Sequence, residues 1–157
     1  MFQQLLDLFG PYRNGAIFDP SDEKDIEIII DLLALKPADK AVDIGSGDGR
    51  IVSAMARKGA MAYGIEYDPD LVKKSTDSIY AEKLETKASI IYSSFWDINL
   101  HQFNKITIYQ YYTVMDRLEK KILHEVQPGS YIVSHLWKFP TWKPAKKIKE
   151  IYLYIKE

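Results

Sequence analysis

The sequence predicts a doubly wound α/β fold, with a mostly parallel sheet of about six to seven strands, helices on both faces and the last strand or strands antiparallel. Three observations carry that expectation. Short apolar, β-branched runs alternate with amphipathic helical stretches from residue 21 to residue 137, the pattern of βαβ units joined by right-handed crossovers. A glycine-rich turn, Gly45-Ser46-Gly47-Asp48-Gly49, separates one such run from the helical stretch after it. The 157 residues suit one compact domain over 1–157, with no room for a second of ordinary size.

Taken in order, Phe2–Phe9 has the spacing of a short amphipathic helix, and the breakers of Gly10–Asn14 follow it. Residues 1–20 therefore read as an N-terminal helix and loop, and 21–157 as the core. Pro20-Ser21-Asp22-Glu23 opens a longer helix, with Ser21 as N-cap and two acids in the first turn. Ile26, Ile29, Ile30 and Leu33 recur at helical spacing, so one face is buried. Lys36-Pro37 ends it.

Ala41–Ile44 is a strand that stops at the glycine turn, and Arg50–Lys58 is helical. Ala62–Glu66 (strand), Asp68–Leu84 (a helix opened by Asp68-Pro69) and Ala88–Tyr92 (strand) come next. Lys105–Tyr109 is β-branched and extended, and Val114, Leu118 and Ile122 line a helix that finishes at Pro128-Gly129. Tyr131–Leu136 and Ile151–Ile155 complete the strands. Lys138, Lys143, Lys146, Lys147 and Lys149 between them read as a solvated hairpin.

Composition narrows the function. The chain carries 21 Lys+Arg against 22 Asp+Glu, a net charge of −1, which argues against stable nucleic-acid binding through neutralised phosphates. The absence of Cys excludes disulfide scaffolds, thiolate metal sites and thiol nucleophiles. His101, His124 and His135 stand far apart, without metal-ligand spacing. No apolar run approaches the roughly 18 residues that span a bilayer, and the first residues lack the basic start of a secretory leader. A soluble, cytoplasmic, monomeric protein is expected.

The strongest local signal is Val42-Asp43-Ile44-Gly45-Ser46-Gly47-Asp48-Gly49-Arg50. Such a turn lets backbone approach a ligand without interference from Cβ. A dinucleotide fingerprint fails, because its third glycine would fall at Arg50. A pyrophosphate would also need the positive helix N-terminus to itself, yet Asp43 and Asp48 flank the turn. Those carboxylates favour a cationic ligand. Glu66, at the end of the next strand, suits ribose hydroxyls, and Tyr67 beside it suits stacking on adenosine. A ligand with a ribose, no phosphate and a positive charge is S-adenosylmethionine.

Val42–Arg50 together with Gly64-Ile65-Glu66-Tyr67 resembles the motif pair of class I S-adenosylmethionine-dependent methyltransferases. More specifically, the chain is similar to the small archaeal protein-lysine methyltransferases and to their relatives, the mitochondrial lysine methyltransferases. Phe18-Asp19-Pro20-Ser21, Ser93-Ser94-Phe95-Trp96, Leu118-Glu119-Lys120-Lys121 and Phe139-Pro140-Thr141-Trp142 extend the likeness over most of the chain. The resemblance implies a Rossmann-like core, S-adenosylmethionine held by Asp43, Gly45, Ser46, Gly47, Asp48, Gly49, Glu66, Tyr67, Ser94, Phe95 and Trp96, and protein substrates that present exposed lysines. It also implies a soluble enzyme, since the membrane-anchoring segment of the mitochondrial members has no counterpart here. Ser94 stands where the family commonly has an acid facing the adenine amino group. Tyr109-Gln110-Tyr111-Tyr112 replaces the Asn-Pro-Pro-Tyr box of enzymes that methylate bases or glutamine.

Methyl transfer to lysine asks the protein to position and desolvate an amine whose ordinary pKa is about 10.4. Aromatic rings at the ends of the fourth and fifth strands suit that task. Tyr109, Tyr111, Tyr112 and Trp142 are the candidate catalytic residues, with Trp96 and Trp137 as further lining. No metal is required. The alternatives are an RNA or small-molecule methyltransferase, a non-catalytic S-adenosylmethionine-binding module and, more remotely, a nicotinamide-dependent oxidoreductase.

Overall fold

The computed structural model describes residues 19–157; the helix expected at Phe2–Phe9 lies outside them. Helix α1 (Glu23–Leu33) precedes β1 (Lys40–Ile44), α2 (Arg50–Arg57), β2 (Met61–Glu66), α3 (Pro69–Ala81) and β3 (Ala88–Tyr92). Two single 3-10 turns, Phe95–Asp97 and Leu100–Gln102, lead to β4 (Lys105–Ile108), α4 (Tyr112–Glu125), β5 (Tyr131–His135), β6 (Lys146–Ile148) and β7 (Ile151–Ile155). The strands form one seven-stranded sheet in the order β3-β2-β1-β4-β5-β7-β6. Strands β1 to β5 are parallel, while β7 runs antiparallel between β5 and β6.

The order reverses between β1 and β4, and in doubly wound sheets ligands bind outside the carboxyl ends at that point. Alternation along the strands divides the core in two. Ala41, Ala62, Ala88, Val133 and Leu153 face α1 and α2 on one side of the sheet. Val42, Ile44, Ile106, Ile108 and Ile132 face Val114, Met115, Leu118 and Ile122 of α4 and the 3-10 segment on the other. The small residues on the first side let helices approach the sheet closely. Leu33, fully buried there, is worth about 2–5 kcal/mol against truncation to Ala.

Local chemistry sets the element ends, sometimes differently from the sequence reading. Asp22, rather than Ser21, caps α1 by accepting from the Asp25 N–H at 2.8 Å. Ser21 is drawn away by a contact with His135. Asp68 caps α3 as expected, with Pro69 in the first turn, but that helix ends at Ala81 because Lys83 turns left-handed (φ 57°). Strand β5 stops at His135, since Leu136 has φ 71°. The lysine-rich segment does form a hairpin, and its first arm, β6, is a strand that the run of charges had hidden.

Candidate active site

A cavity of about 340 Å3 opens at the carboxyl ends of β1, β2 and β4. The glycine turn forms its floor. Gly45, Gly47 and Gly49 all have positive φ, at 75°, 55° and 81°, where an L side chain is strained. Gly49 caps α2, and a Cβ there would stand 2.8 Å from that of Ser75. A Cβ on Gly45 would collide with the Gln110 amide, which instead donates to the Ile44 carbonyl at 3.2 Å. The turn is thus folded tightly onto the β4 end.

Asp43, Asp48 and Glu66 each face the cavity in a different electrostatic state. Asp43 is buried, and desolvation pushes its carboxyl up to about 7, reinforced by Glu66 and Asp48 and opposed by the Thr107 hydroxyl. That hydroxyl donates to Asp43 at 2.7 Å. Burial also works against ionisation of Asp48, but Arg50 overcomes it and holds the carboxyl below the usual range, at 2.6 Å. Glu66 accepts from the Gly47 N–H at 2.8 Å with one oxygen. The other oxygen accepts from the N–H groups of Tyr67 and Asp68, at 2.9 Å each. It therefore ties the glycine turn to the turn after β2. Three of its roughly four acceptor positions are spent, which leaves room for one ribose hydroxyl rather than the pair.

Among the described residues, five carboxylates (Asp19, Asp43, Asp48, Glu66, Asp68) line this cavity against one guanidinium, Arg50. A desolvated carboxyl such as Asp43 gains most from a positive ligand close by. The Ser46 hydroxyl is buried against Gly64 and has no hydrogen-bond partner among the described residues. These features fit the sulfonium and ammonium of S-adenosylmethionine, with Asp43 suited to its cationic methionine end and Glu66 and Tyr67 to its ribose end.

The lining brings together Asp43, Gly45, Ser46, Gly47, Asp48, Glu66, Tyr67, Phe95 and Tyr109 from the sequence reading. Other expected residues stand outside it. Ser93, not Ser94, faces the cavity, because the Ser94 hydroxyl accepts from the Trp96 N–H at 3.3 Å to cap a 3-10 turn. Trp96 lies behind Phe95, with their centroids 4.7 Å apart, and beneath the Arg117 guanidinium at 3.9 Å. Trp142, half-buried, stacks on Phe139 at 5.8 Å and packs on Tyr154 at 5.1 Å, against the core at β7. It is a packing residue here, held in place by Thr141, which donates to the buried Glu119.

Tyr109 reaches the cavity, while Tyr111 and Tyr112 start α4 just outside it. Tyr112 lies 5.3 Å from Trp137. Among the lining residues absent from the sequence-based candidates are Asp19, Pro20, Ser21, Arg50, Asp68, Ser93 and Gln110. Asp19 is visible in sequence only as part of a family likeness, Pro20-Ser21 also as a helix start, and Gln110 only as the residue between two tyrosines.

Residues 43–146, about two thirds of the chain, match the ANTKMT methyltransferase domain family. The adenine nucleotide translocase lysine N-methyltransferase of Mus musculus is 31% identical over 89% of this chain and 61% of its own length. The protein-lysine N-methyltransferase of Saccharolobus islandicus is 25% identical over 87% of this chain and 91% of its own. Among solved structures, an RNA methyltransferase from Salinibacter ruber in complex with S-adenosyl-L-homocysteine superposes with a TM-score of 0.85. It shares 28% identity and covers 88% of this chain and 95% of that one. The chain spans between 51% and 61% of the length of the mammalian relatives it matches. With the glycine turn, the acid-lined cavity and the sheet order in place, the chain belongs to the ANTKMT methyltransferase domain family.

Proposed function

We propose that the chain is an S-adenosylmethionine-dependent methyltransferase acting on lysine side-chain amines of proteins, as a cytoplasmic monomer built of one catalytic domain. The observation that carries the donor assignment is Asp43, a buried carboxyl raised to about 7 in a cavity crowded with other acids. Such a site disfavours the phosphates of a nicotinamide dinucleotide and favours a cation. The lysine assignment rests on the relatives described as lysine N-methyltransferases, one of which is matched over nearly its whole length.

S-adenosylmethionine supplies an electrophilic methyl carbon, so the protein's work is positioning. Asp43 and the glycine turn hold the cationic end, and Glu66 and Tyr67 orient the nucleoside. The ends of β4 and β5 present Tyr109, Tyr112 and Trp137 to the acceptor. Among the described residues no group of His, Cys, Asp and Glu has the arrangement to hold a metal ion. No described helix is long and apolar enough to cross a membrane.

The Salinibacter RNA methyltransferase, similar over nearly its full length, favours a second reading in which RNA is the acceptor. The net charge of −1 weighs against it. A cell lysate incubated with the protein and methyl-labelled donor separates the two. Label removed by protease and resistant to ribonuclease supports lysine methylation; label removed by ribonuclease overturns it.

A further inference from the structure

The cavity has an outer corner that donor binding leaves unexplained. Four of its five carboxylates are already engaged: Asp43 with Thr107, Asp48 with Arg50, Glu66 with three backbone N–H groups and Asp68 with the start of α3. Asp19 is engaged more lightly: it is exposed at the rim, and among the described residues it accepts one side-chain hydrogen bond, from the Tyr109 hydroxyl at 3.0 Å.

Its placement is built. The Ser21 hydroxyl lies 2.9 Å from His135 Nδ1 at the end of β5. The Ser21 carbonyl accepts from Arg50 at 3.2 Å. His135 in turn contacts Asp25 at 3.2 Å through Nε2 and lies against the Tyr109 ring at 4.3 Å. Burial and the bond to Asp19 push the Tyr109 hydroxyl up to about 12, so it stays a donor at any working pH.

An apolar platform stands at the ends of the same two strands. The Trp137 N–H donates back to the His135 carbonyl at 2.9 Å, with Leu136 between them at φ 71°. That is a γ-turn of the rare, strained hand. It carries Trp137 to within 5.3 Å of Tyr112, an exposed aromatic at the start of α4. A carboxylate at a cavity mouth, with the exposed Tyr112 and the half-buried Trp137 at the ends of the strands that border it, matches a primary ammonium on an aliphatic stem.

Building on the protein-lysine reading, we propose that Asp19, positioned by Tyr109 and His135, recognises the acceptor lysine's ammonium at the mouth of the donor cavity, with Tyr112 and Trp137 flanking its stem. Asp19 is a specificity residue on this account; Tyr109 and His135 are positioning residues.

The test compares wild type, Asp19→Asn and Asp19→Glu on a lysine peptide and on the same peptide with norleucine in place of lysine. Donor affinity is read by calorimetry, peptide KM and kcat by methyl incorporation, and norleucine-peptide binding by competition. Asp19→Asn is expected to raise peptide KM about tenfold and to erase the preference for lysine over norleucine. Its donor affinity stays unchanged, and Asp19→Glu restores most of the preference. Unchanged KM and preference in Asp19→Asn overturn the inference, as does a parallel loss of donor affinity, which would place Asp19 in the donor site. Wild type that methylates RNA and no lysine peptide overturns the underlying reading, and the inference with it.

Discussion

The two halves of the cavity are built in opposite ways. On the donor half, at the ends of β1 and β2, carboxylates and backbone N–H groups from two short turns are bonded to each other through Glu66. On the acceptor half, at the ends of β4 and β5, partners come from distant parts of the chain. Asp19 and Tyr109 are 90 positions apart, Ser21 and His135 114; the Tyr112 ring is exposed, and those of Tyr109 and Trp137 are half-buried. A ligand of fixed shape is met by a rigid, pre-satisfied floor. A variable one, a side chain on another macromolecule, is met by a rim that leaves its groups open to solvent.

The strongest way to break that contrast is to strip the donor half of its central charge. Asp43→Asn keeps the shape and removes the ionisable group. A hydrogen bond to a charged group is worth about 1.5–3 kcal/mol, so donor affinity should fall between tenfold and a hundredfold. Calorimetry with S-adenosylmethionine reads this directly, and peptide KM should stay within about twofold because that half is built elsewhere.

Next comes pH. The Asp43 carboxyl ionises near 7 in the fold against an ordinary 3.8, and a cationic donor prefers the ionised form. Donor affinity should therefore drop about tenfold per unit as pH falls below 7. Binding at pH 6 should release close to one proton, visible as a buffer-dependent enthalpy. Between about pH 4 and 7 the folded chain keeps a proton that the unfolded chain has lost. The ligand-free protein should thus lose stability as pH rises through that window, and Asp43→Asn should flatten the slope in a melting series.

Glu66→Gln probes how the donor floor is held together. A carboxylate accepts on both sides, whereas an amide presents an NH2 on one of them. Either Gly47 or the Tyr67–Asp68 pair then faces a donor instead of an acceptor. Stability should fall by about 1–3 kcal/mol, measured by denaturant titration, with donor affinity falling alongside.

The smallest expected effect lies on the acceptor rim. Tyr112→Ala should raise peptide KM about threefold to tenfold, one aromatic contact being worth roughly 0.5–1.5 kcal/mol. Neither donor affinity nor melting temperature should move. A stability loss there would show that the exposed rim is part of the core after all.

The same contrast explains what the sequence could reveal. The sheet, its parallel order and the donor turn were legible because their signals are local. Alternating periodicities mark the βαβ units, and three glycines with two acids within seven residues mark the turn. Glu66 was legible as an acid at a strand end, though not the three backbone bonds that occupy it, which depend on how two turns meet in space. The acceptor side was legible only as a density of aromatics. Trp142 and Tyr112 look alike in sequence, yet one packs behind β7 and the other stands in solvent. Ser21 has the composition of a helix cap but is claimed by His135 from the far end of the chain. Ser93 and Ser94 differ by one step of extended backbone, which sends neighbouring side chains to opposite sides. The strand β6 was masked because three of its flanking and internal lysines read as solvent-facing charge, which they are, on an edge.

The most direct test of the central claim uses a defined lysine-containing protein, S-adenosylmethionine and the purified chain, followed by tandem mass spectrometry of the product. Methyl groups are expected on lysine Nζ in wild type, and tenfold to a hundredfold less of them in Asp43→Asn at limiting donor. Methylation confined to RNA, or donor binding with no methyl on any lysine, would contradict it.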